Sequence, residues 1–181
     1  MHSKNNEIRL EQPNLIFAKA LLDYHKRNKT FLEPFVPSRA IDFFSLDFQE
    51  KVLEQNIQNW SLNTGYCFYI FDNIENKIIG MVNISNIIRG VFQSCFLGYS
   101  LDKDYLNKGY MSFAVSKVVD FAFNELKLHR IEANVMPKNI ASLSVLKRNN
   151  FIEEGYAKEY LLINGKWEDH VHMVLINKNY N

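Results

Sequence analysis

The stretch from Ser94 to Met136, SCFLGYSLDKDYLNKGYMSFAVSKVVDFAFNELKLHRIEANVM, decides the fold. Ser94 to Leu101 reads as a strand. From Gly109 to Leu126 the apolar positions Ala114, Val118, Ala122 and Leu126, with Val115, Val119 and Phe123 beside them, recur at helical spacing and predict a strong amphipathic helix. Arg130 to Met136 alternates as a second strand. A strand, a long helix and a further strand imply a parallel crossover, since parallel strands cannot be joined by a tight turn. Upstream, Tyr66 to Phe71 and Lys77 to Ser85 read as strands with turn chemistry at Asp72-Asn73 and Arg89-Gly90, an antiparallel meander running into Ser94. The sheet is therefore expected to be mixed and mainly antiparallel, flanked by helices, in the α+β class.

Outward from this centre, Pro137-Lys138-Asn139 breaks the strand before a short helix to about Asn149, with Asn139 as its N-cap and Leu143 and Leu146 on its apolar face. Glu159 to Ile163 and Trp167 to Leu175 flank Asn164-Gly165, a hairpin signal because a type I′ turn needs positive φ at both central residues. Toward the start, Ile8-Arg9-Leu10 alternates as a short strand. Pro13-Asn14 opens a helix reaching about Asn28, with Leu15, Ala18 and Leu22 on one face. The two prolines in Phe31 to Pro37 exclude regular helix or central strand and leave aromatics on a loop that lines a pocket; Phe48, Val52 and Trp60 then mark a helix over 47–61. The order is βααβββαβαββ.

The chain has 181 residues, 47% hydrophobic and 23% charged, without repeats or a Ser/Gly/Pro linker, which suits one domain over 1–181. Apolar runs fall far short of the roughly 20 residues of a spanning helix, and residues 1–6 are a polar mix without a secretory pattern, so no membrane partner is expected and the cytoplasm is the expected location. The cysteines Cys67 and Cys95 have neither CxxC nor Cys/His ligand spacing and read as core thiols; no metal is expected. With 21 basic and 20 acidic residues well mixed, net charge +1 gives no drive toward nucleic acid.

Asp102 to Met111 joins a strand to the start of the strongest helix, which makes it an anion site by construction. The first amides of a helix are unpaired and its dipole favours negative charge. Gly109 admits close approach to the backbone, and Lys108 adds a cation. Asn139-Ile140-Ala141-Ser142 opens the next helix, which closes on Asn149-Asn150 before Phe151.

These residues, in this order, resemble the GNAT superfamily of acetyl-CoA-dependent N-acetyltransferases, and within it the RimJ/RimL branch, nearest the type that acetylates a ribosomal-protein alanine. The likeness covers nearly the whole chain: Asn28 to Pro34, Asn83 to Asn86, Arg89 to Phe92, Leu97 to Ser100, His129 to Ile131, Met136-Pro137, Glu154 to Lys158, Tyr160 to Trp167 and Asp169 to Val171. The resemblance implies a sheet with a V-shaped split, in which a bulge in the strand ending at Leu101 splays it from the strand at 130–136 and pantetheine lies between them. It implies that acetyl-CoA, as co-substrate, is bound by Tyr99, Ser100, Leu101, Asn107, Lys108, Gly109, Tyr110, Met111, Ser112, Asn139 and Ser142, with the pyrophosphate on the amides of 108–112. The pattern departs at Leu106-Asn107, where the family usually carries Gln or Arg and then Gly, at Phe113 in place of Glu, and at Asn150 in place of Gly. Since amides carry most of the pyrophosphate binding, weakened coenzyme affinity is the expected effect, and Asn150 is the next-best residue for a left-handed helix cap.

The activity so implied is transfer of an acetyl group to the N-terminal α-amine of a protein, a small-subunit ribosomal protein beginning with Ala, by a monomer or homodimer. Alternatives are acetylation of a small amine or polyamine, for which Glu33, Asp42, Asp47 and Glu50 cluster in sequence, and a ribosome-assembly module with weak catalysis. The tyrosine acid common in the superfamily is replaced by Leu146, and the branch resemblance marks Ser142 as the acid that protonates the departing thiolate. An α-amine, which ordinarily titrates at about pH 8, is about 3 kcal/mol easier to deprotonate at neutral pH than a lysine. Helpers for that step are Glu33 on the aromatic loop and Asp169 on the last strand; Phe31 and Phe35 complete the expected substrate pocket, which Tyr99 and Tyr105 are placed to close. His170 and His172 alternate with Val171 and so face one side of their strand.

Overall fold

Alternation along the apolar run Tyr66 to Phe71 sets the layering. Tyr66, Phe68 and Ile70 point into one core, while Cys67, Tyr69 and Phe71 point into another on the opposite face of the sheet. The computed structural model describes residues 7–180, and the expectation for residues 1–6 lies outside them. Its regular elements are β1 (Ile8–Glu11), α1 (Ala18–Arg27), α2 (Lys29–Leu32), α3 (Leu46–Ser61), β2 (Tyr66–Asp72), β3 (Ile78–Ile88), β4 (Ser94–Leu101), α4 (Tyr110–Asn124), β5 (Arg130–Val135), α5 (Ile140–Arg148), β6 (Ile152–Ile163) and β7 (Lys166–Ile176), with short 3-10 turns between several of them. The strands form one sheet in the order β1-β2-β3-β4-β5-β7-β6, antiparallel except for β4 against β5. Helices α1 and α3 pack on one face through Leu21, Tyr24 and Leu53; α4 and α5 cover the other through Ala114, Val115, Val118 and Leu146. Both cysteine thiols are buried, one in each core, and burial pushes each up to about 12. Among the described residues no helix is long and apolar enough to cross a membrane.

The expected order of elements is met, with three corrections. The stretch from Phe31 to Pro37 is not all irregular loop: Lys29–Leu32 is one helical turn and Glu33–Phe35 a 3-10 turn, because Pro34 sits in the first turn, where its missing N–H is not needed. The register shift falls on β3, where Asn86 adopts φ 49° opposite an unbroken run of β4, so the expected bulge is not on β4. The strand expected at Glu159 begins at Ile152, and it carries two further register shifts against β7. Elsewhere the turn chemistry holds. Asp72 caps its own turn by accepting from the amides of Ile74 and Glu75, and Asn164 and Gly165 take φ 51° and 79°, as a type I′ turn requires.

The end of β4 is clamped to α1 by polar side chains. Asp102, fully buried, accepts from Arg27 Nε at 2.5 Å and from the Asp104 amide. Arg27 also donates to the Ile78 carbonyl, Asn28 accepts from the Lys103 amide, and Tyr24 Oη donates to Ser100 Oγ. At Gly80 a Cβ would stand 2.6 Å from the Ser100 carbonyl oxygen, so only glycine lets β3 and β4 lie this close.

Burial alone would raise the Asp102 carboxyl, but hydrogen bonds from Asp104, Arg27 and Asn28 and the Arg27 charge hold it below the ordinary carboxylate range. Its contribution to stability is therefore present above that range and is lost as pH falls through the lowered value. Arg27→Met strands the buried carboxylate and should cost about 3 kcal/mol in denaturant unfolding at pH 7. The gap to the parent should close as pH drops below about 4, where a protonated Asp102 no longer needs the cation.

Candidate active site

Parallel β4 and β5 pair only from Ser94 with Arg130 to Phe96 with Glu132. Beyond that point β4 keeps its partner β3 and β5 keeps β7, so the facing edges of Leu97–Leu101 and Ala133–Met136 part. Both edges line one cavity of about 590 Å³. The expected V-shaped split is this gap, and backbone N–H and C=O groups along it are available to an extended ligand.

The N-terminus of α4 closes one end. Its N-cap, Gly109, has φ 76° and supplies no capping side chain, which leaves the first-turn amides of Tyr110, Met111 and Ser112 to a ligand. Two residues earlier Asn107 has φ 60°, a left-handed conformation that Asn tolerates nearly as well as Gly, so the departure at this position preserves the bend. Ser112 Oγ is buried and has no hydrogen-bond partner among the described residues. Asn107, Gly109, Met111 and Ser112 line the cavity; Lys108 stands over the Tyr105 ring at 4.7 Å, and Tyr110 Oη donates to Glu7 at 2.6 Å, an anion that together with burial pushes the phenol up to about 12. Tyr105 is buried and donates to Asp72, away from the cavity.

A side wall comes from α5. Asn139 caps it by accepting from the Ser142 amide at 3.1 Å, as its sequence position predicts. At the other end Asn150 takes φ 62°, its amide bonds Lys147 O and that of Phe151 bonds Leu146 O, a Schellman cap built on Asn instead of Gly. Asn149 Nδ2 donates to the Ser112 carbonyl and so ties α5 to the first turn of α4. Between these ends Ser142 Oγ lies 2.8 Å from Tyr99 Oη, which also donates to the Ser142 carbonyl at 3.0 Å. A phenol has one proton, so with that proton on the carbonyl the Ser142 hydroxyl donates to Tyr99. Burial pushes the Tyr99 phenol far above its ordinary range against the opposing Ser142 hydrogen bond, and it stays protonated. Ser100 and Leu101 also line the cavity.

The opposite mouth is formed by side chains of the 31–36 turn and by His170 of β7. Phe31, Leu32, Phe35 and Val36 line it. Glu33 does not; it borders a smaller neighbouring cavity of about 240 Å³ with His25, Lys29, Arg39 and Asn164. Asp169 is also outside the main cavity. Its carboxylate accepts from Tyr156 Oη at 2.6 Å and from the Glu159 amide at 2.8 Å, holding a bulge in β6 at which Glu159 has φ 49°. That bulge turns Tyr160 over the rings of His170 and His172, which share one face of β7 as expected. The structure thus gathers eleven of the expected site residues (Phe31, Phe35, Tyr99, Ser100, Leu101, Asn107, Gly109, Met111, Ser112, Asn139 and Ser142) and sets Lys108, Tyr110, Glu33 and Asp169 outside the lining. It adds Asn134, Arg148 and His170, whose only sequence signal was polar alternation in otherwise apolar strands and a basic last turn on α5.

Comparison with known proteins agrees with this geometry. Residues 19–152 match the family described as an acetyltransferase (GNAT) domain. A probable N-acetyltransferase, YjcK, of Bacillus subtilis is 42% identical over 88% of this chain and 88% of its own. The [ribosomal protein uS5]-alanine N-acetyltransferase of Escherichia coli is 38% identical over 83% of this chain and 78% of its own. The crystal structure of the ribosomal-protein-S5-alanine acetyltransferase from Vibrio fischeri superposes with a TM-score of 0.94 at 37% identity, covering 97% of this chain and 96% of that one.

The unpartnered Ser112 hydroxyl separates a ligand role from a structural one. Ser112→Ala removes a buried polar atom that has nothing to bond, so the melting temperature of the ligand-free protein should hold or rise. Calorimetric titration of acetyl-CoA should then show about a tenfold loss of affinity, the scale of one hydrogen bond to a charged group.

Proposed function

We propose that this chain, which belongs to the GNAT acetyltransferase family, transfers an acetyl group from acetyl-CoA to the N-terminal α-amine of a protein, with the alanine terminus of a small-subunit ribosomal protein as the acceptor class. The observation that carries the reading is the parting of β4 from β5, with bare α4 amides at one end and the Ser142–Tyr99 pair on its side. The residues fit the coenzyme on three counts: open backbone edges along the gap, first-turn amides with no side-chain cap, and the orphaned Ser112 Oγ. Bound there, acetyl-CoA supplies the activated acyl group. The chain's own work is positioning, worth roughly 7 to 11 kcal/mol when nucleophile and thioester are held in attack geometry, together with proton movement. Ser142 Oγ gives its proton to the departing sulfur, and Tyr99, which keeps its own proton, holds the Ser142 hydroxyl in place.

Acceptor choice rests on the mouth. No carboxylate lines the cavity among the described residues, whereas a polyamine needs several; Glu33, Asp42, Asp47 and Glu50 all stand elsewhere. The aromatic side chains Phe31 and Phe35 suit an extended peptide, and the similarity to two S5-alanine acetyltransferases supports an alanine terminus.

Coenzyme A release should be faster with peptides beginning Ala than with spermidine or free lysine. Ser142→Ala should lower kcat about 10- to 100-fold on an Ala-initial peptide with the acetyl-CoA Kd within twofold of the parent, and Tyr99→Phe should lower it by less. Unchanged kcat in Ser142→Ala would remove Ser142 as the acid.

A further inference from the structure

The base of the reaction is not among the carboxylates nearest the mouth, since Asp169 is occupied by the β6 bulge and Glu33 borders another cavity. On the sheet face opposite α4 a different pair meets the gap. Ile131, Ala133 and Val135 of β5 point into the core under α4, so Asn134 points to the other side. Asn134 is in direct register with His172, and His170 lies two residues along β7 on that same face. Both Asn134 and His170 line the cavity.

Two features mark them as receiving a ligand with N–H groups. Asn134 Oδ1 is buried without a hydrogen-bond partner among the described residues, although its Nδ2 donates to Tyr160 Oη at 3.2 Å. His170 is 3% exposed and its Nδ1 lies 3.0 Å from the Glu168 carbonyl oxygen. A carbonyl only accepts, so Nδ1 carries the proton, and in the neutral ring Nε2 is left as a lone pair. The Tyr160 ring packs on the imidazole at 5.5 Å and holds it in place.

We infer that His170 Nε2 is the general base for the acceptor amine and that Asn134 Oδ1 holds a second N–H of the same nitrogen; this deepens the proposed acetyl transfer and rests on it. An ammonium terminus entering from the face opposite α4 gives one proton to His170 Nε2. The freed lone pair forms the C–N bond to the acetyl carbon and the C–S bond breaks; Ser142 Oγ gives its proton to the sulfur and takes up the second proton lost by the nitrogen. His170 then returns its proton to solvent. The titratable groups around it are Tyr160 from β6, His172 on its own strand and Tyr99 across the cavity; the Glu168 carboxylate is turned away to Lys138 and Lys166.

The test is His170→Gln in the full chain, read as kcat/KM against pH on an Ala-initial peptide and as acetyl-CoA affinity. The expected result is a fall of about a hundredfold at pH 7, shrinking toward pH 9 as the amine deprotonates unaided at about pH 8, with coenzyme affinity within twofold of the parent. Asn134→Ala should raise KM for the peptide about tenfold. Turnover within threefold of the parent on an unchanged pH profile overturns the proposal. A parent that acetylates spermidine but not the peptide defeats the N-terminal reading alone, and the same comparison made on spermidine supports or overturns the base; a parent that acetylates neither overturns both. Without any variant, 15N-histidine NMR of the parent should show the ring proton of His170 on Nδ1, and an Nε2–H tautomer sinks the assignment.

Discussion

Two parallel strands that pair over three residues and then part are the constraint on which the molecule is organised. Backbone amides and carbonyls are obligate hydrogen-bonding groups, and a sheet normally leaves them unpaired only at its outer edges. Here an edge is opened in the middle, and both strands survive it because each is held from outside, β4 by β3 and β5 by β7. Cores on both faces supply the rest: α4 and α5 beneath, α1 and α3 above β2 and β3. The ion pair of half-buried Arg27 with buried Asp102 fixes the free end of β4 at the point where no neighbour on its inner side steadies it.

The same gap assigns the two faces different tasks. On the α4 side, helix amides and small side chains are placed to meet the phosphates and the thioester arm in the proposed reaction. On the other side the proposed reaction has polar side chains of β5 and β7 meet the amine. In the proposed reaction Ser142 and His170 approach the reacting atoms from opposite faces, one with a proton to give and one with a lone pair.

Local signals carried most of the fold. The helix at 110–124, the Asn139 cap, the Asx turn at Asp72 and the Asn164-Gly165 turn each depend on residues within a few positions of one another. What escaped depends on partners far along the chain. The register shift lies at Asn86 on β3 instead of on β4, and β6 starts at Ile152 with its bulge stapled by Asp169, because strand irregularities are fixed by the neighbouring strand. The site divides in the same manner. The expected roles of Ser142 and the 108–112 amides come from motif resemblance, whereas Asn134 and His170 sit in strands whose alternation says only that they share a face. Asp169, which the pattern offered as a helper, became a backbone staple.

The hairpin tip bonds to the aromatic turn at two points, with Asn164 Nδ2 donating to the Glu33 carbonyl and Ser38 Oγ donating to Asn164 Oδ1. Segments more than a hundred residues apart are thereby joined into one rim. Selection on the acceptor must then act on both together. Lengthening the hairpin by a residue would displace Phe31 and Phe35 as surely as replacing them, so new specificities on this scaffold should arise through paired changes in the turn and the tip, while the thioester side is inherited intact.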